Sequence, residues 1–476
     1  MGGNSRRGTS VGLRGNPPRG RARCRTCLDA QPPAPASCRA LRLKDERPTR
    51  RGAPFAGTAT LGSVPAMAVA VPPRRNRRSP TPPRILTAVP LCDGHDSAVM
   101  TVNHELVRHG AEVVYLGYHQ SAAAIARAAV QEDVDAVGIS SYNGGHLVFF
   151  REVLAELRAR SGADIPVFGG GGGTITAADA RLLQRAGVAR IFFAGTPLAA
   201  MVDELFRHAS TRRRLAAGNG DRALGRAISL AENESSAAAR AHATSRRVAP
   251  RSPFVLGVAG PGGAGKSTLI DELTARFLHD QRAGRLAILA NDPSQPGSGG
   301  ALLGDRVAAI YAQNDRVFFR SLGTRGAQAG RSAALPGALQ VLRERGGFDL
   351  IIVESVGIGQ ESDPFGTLGR DERALVDAVL FVLPPHYGGR IQLEKTALLH
   401  GADFVALNKC DDPRCGTARA ELAASLVRDT PPPALHLTTA ARHDDPGVDQ
   451  LYAAIAARAG LSPPGGERPC LLCVET

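Results

Sequence analysis

The chain has 476 residues, 43% of them hydrophobic, enough to bury more than one core, and this predicts at least two domains. Its formal net charge of +14 would suit nucleic acid or anionic lipid, but the first 84 residues hold 18 of the 58 lysines and arginines and only three acids, leaving a nearly neutral body of 40 basic and 41 acidic residues. No apolar run approaches the length of a membrane-spanning helix and no signal peptide is visible, so we expect a cytoplasmic protein with neither nucleic acid nor membrane as partner.

Residues 1–83 are basic and rich in proline without interleaved aromatics, the composition of a disordered extension. Over residues 84–208 the apolar runs ILTAVPL, EVVYL, DAVGIS, IPVF and RIFF alternate with helix-like segments. Five such units predict a flavodoxin-like, doubly wound α/β domain with a parallel sheet. Residues 209–253 hold nine arginines and little apolar periodicity, and read as a partly helical linker. Alternation resumes over 254–460 with FVLGVAG, RLAILA, RVFFR, DLIIVE, AVLFVLP, ADFVALN and ALHL, a second α/β domain, and residues 461–476 form a flexible tail. The eight cysteines, including a C-x-x-C near each end, read as reduced thiols.

The strongest chemical signal is GPGGAGKST, which follows the strand FVLGVA and opens a helix, the setting of a P-loop. Gly260, Gly262, Gly263, Ala264 and Gly265 let backbone N–H groups converge on phosphate oxygens at a helix N-terminus. Lys266 supplies positive charge toward the β and γ phosphates, the Ser267 hydroxyl suits Mg²⁺, and Thr268 completes the motif. Downstream, LIIV ends at Glu354 in ESVGIGQ, placing a carboxylate beside the phosphates and the Gly357 amide near the γ position. Base choice follows from NKCD. Asn408 and Lys409 precede Asp411, whose carboxylate matches the N1–H and exocyclic amine of guanine, and a buried carboxylate left unpaired by adenine discriminates by roughly 10⁴-fold. GTP with Mg²⁺ is therefore the expected nucleotide.

Glu354, where most GTPases carry Asp, resembles the metal and cofactor chaperone GTPases, in particular the GTPase that protects methylmalonyl-CoA mutase. The resemblance runs through Asp292 in NDPS, Gly304 and Asp305 in ALLGDR, RSLGTR and ESVGIGQ. It implies that Lys266, Asp292, Asp305 and Glu354 serve GTP hydrolysis, and that Ser267, Asp292, Asp305 and Glu354 surround Mg²⁺. Ala308 stands where relatives tend to have an arginine, and the segment after ESVGIGQ is longer than usual.

In the first domain, CDGHDSAV places Asp93, Gly94, His95, Asp96 and Ser97 after the first strand, at the sheet edge where doubly wound folds bind ligands. A neutral imidazole at His95 can ligate cobalt while Asp93 holds its other ring nitrogen. Ser140, Ser141, Tyr142, Gly144, Gly145 and His146 end the third strand, and Gly169, Gly170, Gly171, Gly172 and Gly173 follow the fourth. Such small residues at strand ends leave a slot for a corrinoid tail. Together these resemble the cobalamin-binding domain of acyl-CoA mutases, with wording closest to the fused isobutyryl-CoA mutases, although Ala98 replaces a family glycine. The resemblance implies adenosylcobalamin with His95 on cobalt in place of dimethylbenzimidazole. Only sixteen residues follow Gly460, where the fused enzymes continue into a substrate-binding barrel. We therefore expect a GTP-hydrolysing, cobalamin-binding protein that assists cofactor loading and protection of a mutase, with an acyl-CoA mutase large subunit as partner and a homodimer as a compatible assembly. Two alternatives stay open: a fragment or subunit of a fused isobutyryl-CoA mutase, and a corrinoid-sensing regulatory GTPase.

Overall fold

Strand β1 (Arg84–Ala88) is buried along its whole length, as a strand covered by helices on both faces must be, so its sequence RILTA shows no alternation. Around it the chain winds α1 (Ser97–Arg108), β2 (Glu112–Tyr115), α2 (Ala122–Gln131), β3 (Ala136–Ser140), α3 (His146–Ala159), β4 (Val167–Gly170), α4 (Ala177–Ala186), β5 (Arg190–Phe192) and α5 (Leu198–Thr211). Local chemistry sets the boundaries. The Ser121 hydroxyl accepts from the Ala124 N–H to start α2, Thr176 and Asp179 form a reciprocal capping box at α4, and Gly187, at φ 116°, ends α4 in the left-handed region that glycine favours. The strands are all parallel in the order β5-β4-β3-β1-β2, which is the flavodoxin-like order. In this computed structural model the residues described are 81–91, 97–142, 144–171, 173–211, 220–233, 252–327, 330–357, 363–366, 374–387, 397–427 and 432–462. The basic stretch through residue 80 and the tail from residue 463, both expected to be disordered, lie outside them.

The linker segment contains a packed helix, α6 (Asp221–Asn233), with Leu224, Gly225, Ile228 and Ser229 buried. Gly225 is required by close approach, since a Cβ there would fall 2.6 Å from the carbonyl oxygens of Val130 and Gln131 at the end of α2. The segment's nine arginines, two of them on the helix itself, hide its single buried face from a periodicity reading of the whole segment.

The second unit runs β6 (Phe254–Ala259), α7 (Lys266–Asp280), β7 (Leu286–Asp292), β8 (Ala301–Leu303), β9 (Val317–Gly323), α8 (Leu335–Arg345), β10 (Leu350–Glu354), β11 (Ala378–Leu383), α9 (Ala397–His400), β12 (Phe404–Leu407), α10 (Cys415–Leu426), β13 (Ala434–Leu437) and α11 (Pro446–Arg458). Its sheet has seven parallel strands in the order β13-β12-β11-β6-β10-β7-β9, and these are the seven apolar runs read from the sequence. Strand β8 is the exception. It leaves this unit and adds a sixth parallel strand to the first sheet, with Ala301, Leu302 and Leu303 paired to Glu112, Val113 and Val114 of β2.

Beneath that shared edge lies a buried group of charges drawn from both units and α6. Arg84 donates to Glu112 (2.8 Å), Glu132 (3.1 Å), Glu232 (3.0 Å) and the Ser321 carbonyl (2.9 Å). Glu132 also accepts from Arg306 (3.4 Å) and from the backbone and hydroxyl of Ser321, Arg320 donates to Glu232 and Ser229, and Arg325 donates to Glu112 (2.6 Å). Burial works against the charges of both Arg84 and Glu112. The arginines prevail at Glu112, whose carboxyl is held at about 2, and the three glutamates lift the Arg84 guanidinium above its usual value. No helix among the described residues is long and apolar enough to cross a membrane.

Candidate nucleotide and corrinoid sites

Parallel sheets gather the loops that follow their strands along one edge, and the first candidate site occupies that edge of the second sheet. The P-loop leaves β6 and turns at Gly260 (φ 146°) and Gly263 (φ 73°) before Gly265 (φ 90°) caps α7. Lys266 opens the helix. Its ammonium is buried and curls back to the carbonyls of Gly260 (3.2 Å) and Pro261 (3.4 Å). Burial pulls its pKa down, while Glu354 and Asp305 oppose that shift. The Ser267 hydroxyl donates to Glu354 at the end of β10 (2.9 Å). Gly357 rests on the same loop, where a Cβ would come within 2.9 Å of the Gly262 backbone.

Asp292, at the end of β7, and Asp305, after β8, complete the carboxylate set. Burial raises the pKa of all three acids, and the Asp305 charge adds to the rise at Asp292 and at Glu354, which is pushed up to about 8. Asp292 Oδ2 is buried with no hydrogen-bond partner. An orphaned oxygen among mutually repelling carboxylates, with a serine hydroxyl beside them, is a donor set that a hard divalent cation satisfies. No three such groups converge into a closed metal cage among the described residues. Mg²⁺ takes one or two carboxylates and fills its remaining positions with water and phosphate oxygens.

The NKCD motif emerges from β12. Asn408 is buried and holds three loops together: its amide donates to the Ala264 carbonyl of the P-loop (3.0 Å), and its oxygen accepts from the Thr438 hydroxyl (3.1 Å) and the Ala440 N–H (3.0 Å). Lys409 adopts φ 63°, and its stem passes beside Gly265. Asp411 is exposed on the same loop.

Sequence reading missed Thr438 and Ala440. The polar turn TTA directly after the last strand was the available signal, because every loop on that edge faces the same site. It also missed Asn291, which donates to the Glu354 carbonyl (2.7 Å) and accepts from the Ser332 N–H (2.8 Å), tying the ends of β7 and β10. Arg320 and Arg325 of RSLGTR sit in the buried charge group between the units.

The second candidate site is the corresponding edge of the first sheet. Asp93, Gly94, His95 and Asp96 lie outside the described residues, Ser97 begins α1, and Gly172 also lies outside. Ser141 is buried and its N–H donates to the Gly170 carbonyl, binding the ends of β3 and β4. Tyr142 is exposed beside them. His146 opens α3 with Nε2 3.4 Å from Asp179 Oδ2, short of hydrogen-bond geometry, and both its ring nitrogens are buried without a hydrogen bond. The glycine run divides by role. A Cβ at Gly169 would strike Phe150 (2.4 Å) and Ile191 (2.7 Å), and one at Gly171 would strike the Ser141 carbonyl (1.6 Å), so these two are small for packing rather than to open a slot. Gly144, Gly145 and Gly173 face open space, with nothing within 4 Å of a Cβ built there. The residues present thus fit a bulky ligand at this edge, with the buried His146 Nδ1 lacking a hydrogen bond and the open Gly144, Gly145 and Gly173 beside it.

Comparison with known proteins bears on both sites. Residues 224–463 match the family model described as methylmalonyl Co-A mutase-associated GTPase MeaB, and residues 83–202 match that of the B12 binding domain. The fused isobutyryl-CoA mutase of Cupriavidus metallidurans is 38% identical over 427 residues, covering 84% of this chain and 38% of that protein. The fused isobutyryl-CoA mutase of Geobacillus kaustophilus is 34% identical, covering 78% of this chain and 36% of its own. A putative GTPase of Caulobacter vibrioides is 36% identical over 49% of this chain and 68% of its own. The chain therefore spans well under half the length of the fused relatives.

Proposed function

Because the chain belongs to the methylmalonyl Co-A mutase-associated GTPase family and carries a B12 binding domain ahead of it, we propose that it hydrolyses GTP to govern the loading and protection of adenosylcobalamin for an acyl-CoA mutase of the isobutyryl-CoA or methylmalonyl-CoA type. The observation that carries this reading is strand β8. Asp305 and Arg306 are neighbours in the turn that follows it, and Asp305 acts electrostatically on Glu354 while Arg306 donates to Glu132 of the cobalamin-binding unit. A change at the phosphate end is thereby felt at the corrinoid sheet.

In the nucleotide site the P-loop amides receive the phosphates, Lys266 balances their charge, and the Asp411 carboxylate selects guanine. Ser267, Asp292, Asp305 and Glu354 would hold Mg²⁺, which supplies Lewis-acid neutralisation of charge on the phosphate oxygens. Asn408 fixes the P-loop against the base loop, so that phosphate and base contacts are positioned together. In the other unit, His95 is the proposed cobalt ligand, with Ser140, Ser141, Tyr142 and the glycines at the ends of β3 and β4 around the cofactor. Substrate binding is assigned to a mutase large subunit, with this chain in the cytoplasm and a homodimer as its proposed assembly.

The test is to purify the chain, load it with adenosylcobalamin, and follow phosphate release from GTP and isomerisation of isobutyryl-CoA and methylmalonyl-CoA with and without a large subunit. GTP turnover by the chain alone, with isomerisation only when the large subunit is added, is the expected result. Isomerisation by the chain alone would overturn it. The 38% coverage of the fused relative favours one second reading, in which these two units work as part of a fused isobutyryl-CoA mutase, and activity restored only by covalent attachment of the large subunit would select it.

A further inference from the structure

Two thiols that sequence reading left reduced come together at the base-selecting loop. Cys410 is the third residue of NKCD and Cys415 is the first residue of α10. Their Cα atoms are 5.1 Å apart and the two residues are joined by a disulfide, and that separation falls within the range a disulfide spans without moving the backbone. Two turns bring them together, since the Asp412 N–H donates to the Lys409 carbonyl (3.0 Å) and the Cys415 N–H to the Asp412 carbonyl (2.9 Å). Both sulfur-bearing residues are half-buried at the rim of the core formed around β12, within reach of a small reagent.

We propose that Cys410 and Cys415 are a reversible redox pair whose disulfide holds the guanine-recognition loop in its binding shape. The pair encloses Asp411, the residue assigned to the base, so this inference rests on the guanine-nucleotide reading of the NKCD loop. On the amino side that loop is anchored by the Asn408 contacts and by the Cys410 N–H, which donates to the Thr438 carbonyl (3.1 Å). On the carboxyl side the disulfide is the covalent tie to α10. With it in place, Asn408 and Lys409 already stand against the P-loop, so the oxidised loop loses less freedom when nucleotide binds and should release it more slowly.

The chemistry requires an oxidant of the low-molecular-weight disulfide class. One cysteine thiolate attacks a sulfur of that reagent, forming a mixed disulfide and expelling one thiolate. The second cysteine then attacks the protein sulfur of the mixed disulfide, closing the Cys410–Cys415 bond and expelling the second. The protein loses two electrons and two protons, and the reagent is reduced to two thiols.

The test uses the full chain, reduced with dithiothreitol or oxidised with glutathione disulfide. Differential alkylation and peptide mass mapping report the two sulfurs directly, and stopped-flow release of a fluorescent GDP reports the loop. Expected are a Cys410–Cys415 bridge in the oxidised sample and GDP release slowed by about threefold or more relative to the reduced one. The Cys410→Ser/Cys415→Ser double variant should show the same release rate under both treatments, which separates this pair from the other six cysteines. Free, alkylatable sulfurs at both positions after oxidation, equal release rates for the two forms of the unsubstituted chain, or an oxidant response that persists in the double variant would each overturn the proposal. Failure of both the reduced and the oxidised chain to bind GDP, with the bridge mapped as expected, would count against the guanine-nucleotide reading of the loop instead.

Discussion

Lys266 spends its charge on two loop carbonyls and is pulled toward neutrality by burial, so its contribution to phosphate binding should be large and hard to replace. Lys266→Ala is expected to weaken Mg²⁺-GTP binding by at least roughly 100-fold in titration calorimetry, while leaving thermal stability without nucleotide nearly unchanged. An affinity loss under tenfold would assign the phosphate charge to another residue. A different kind of residue effect is expected at Asp271 on α7, which accepts the Tyr311 N–H (3.0 Å) and whose carboxyl burial pushes up to about 7, with Glu272 adding to the rise and His443 opposing it. A carboxyl with a raised folded-state pKa binds its proton more tightly in the folded chain. Its stabilisation is therefore complete below the ordinary value near 4 and is lost as the pH climbs through about 7, a difference of up to roughly 4 kcal/mol. Asp271→Asn should match the parent near pH 4 and exceed it in urea unfolding at pH 8, and a gap independent of pH would refute this. The nucleotide motifs were legible because a phosphate cradle and a guanine-selecting carboxylate demand fixed residue types at fixed spacings. Arg84, Glu112 and Glu132 were not legible, because a charged residue reads as surface until partners 28, 48 and 148 positions away are known.

Among the elements, β8 was not announced by the sequence, and α6 was read only as part of a partly helical linker, without its packed face. Three residues, Ala301–Leu303, are too short a run to show a period, and they pair with a sheet encoded almost 200 positions earlier. The long strands were legible for the opposite reason: β6, β7, β10 and β11 are buried on both faces and appear as unbroken apolar runs. At the edge proposed for the corrinoid, the sequence brought the strand-end loops together but misjudged roles within them, since Gly169 and Gly171 are packing residues. Because β8 is the backbone link from Asp292 to Asp305 and also an edge strand of the first sheet, Leu302→Pro should break its ladder and uncouple the units. The expected result is that GTP no longer alters the rate of cobalamin release, while nucleotide affinity changes less than about threefold. The buried charge group should be costly to interrupt. Glu132→Ala strips a shared partner from Arg84 and Arg306 and is expected to destabilise the chain by about 3–5 kcal/mol in urea unfolding. A loss below 1 kcal/mol would mean that those charges are solvated.

At the scale of the molecule, two parallel sheets each gather a candidate site at the carboxyl edge, and one strand belongs to the chain of one unit and the sheet of the other. Under the proposed function this arrangement would give a bound nucleotide a mechanical route to a cofactor through β8. His95→Ala should then abolish the imidazole nitrogen signature in the electron paramagnetic resonance of bound cob(II)alamin while leaving GTP hydrolysis within about twofold, and an unchanged nitrogen pattern would remove His95 from the cobalt. The most direct test of the coupling is the rate at which adenosylcobalamin leaves the full chain, followed by stopped-flow absorbance with GDP, GTP or a non-hydrolysable GTP analogue bound. The joined sheets predict release rates that differ between GDP and the analogue and that converge in the Leu302→Pro variant, whereas a single rate in all nucleotide states would contradict the account.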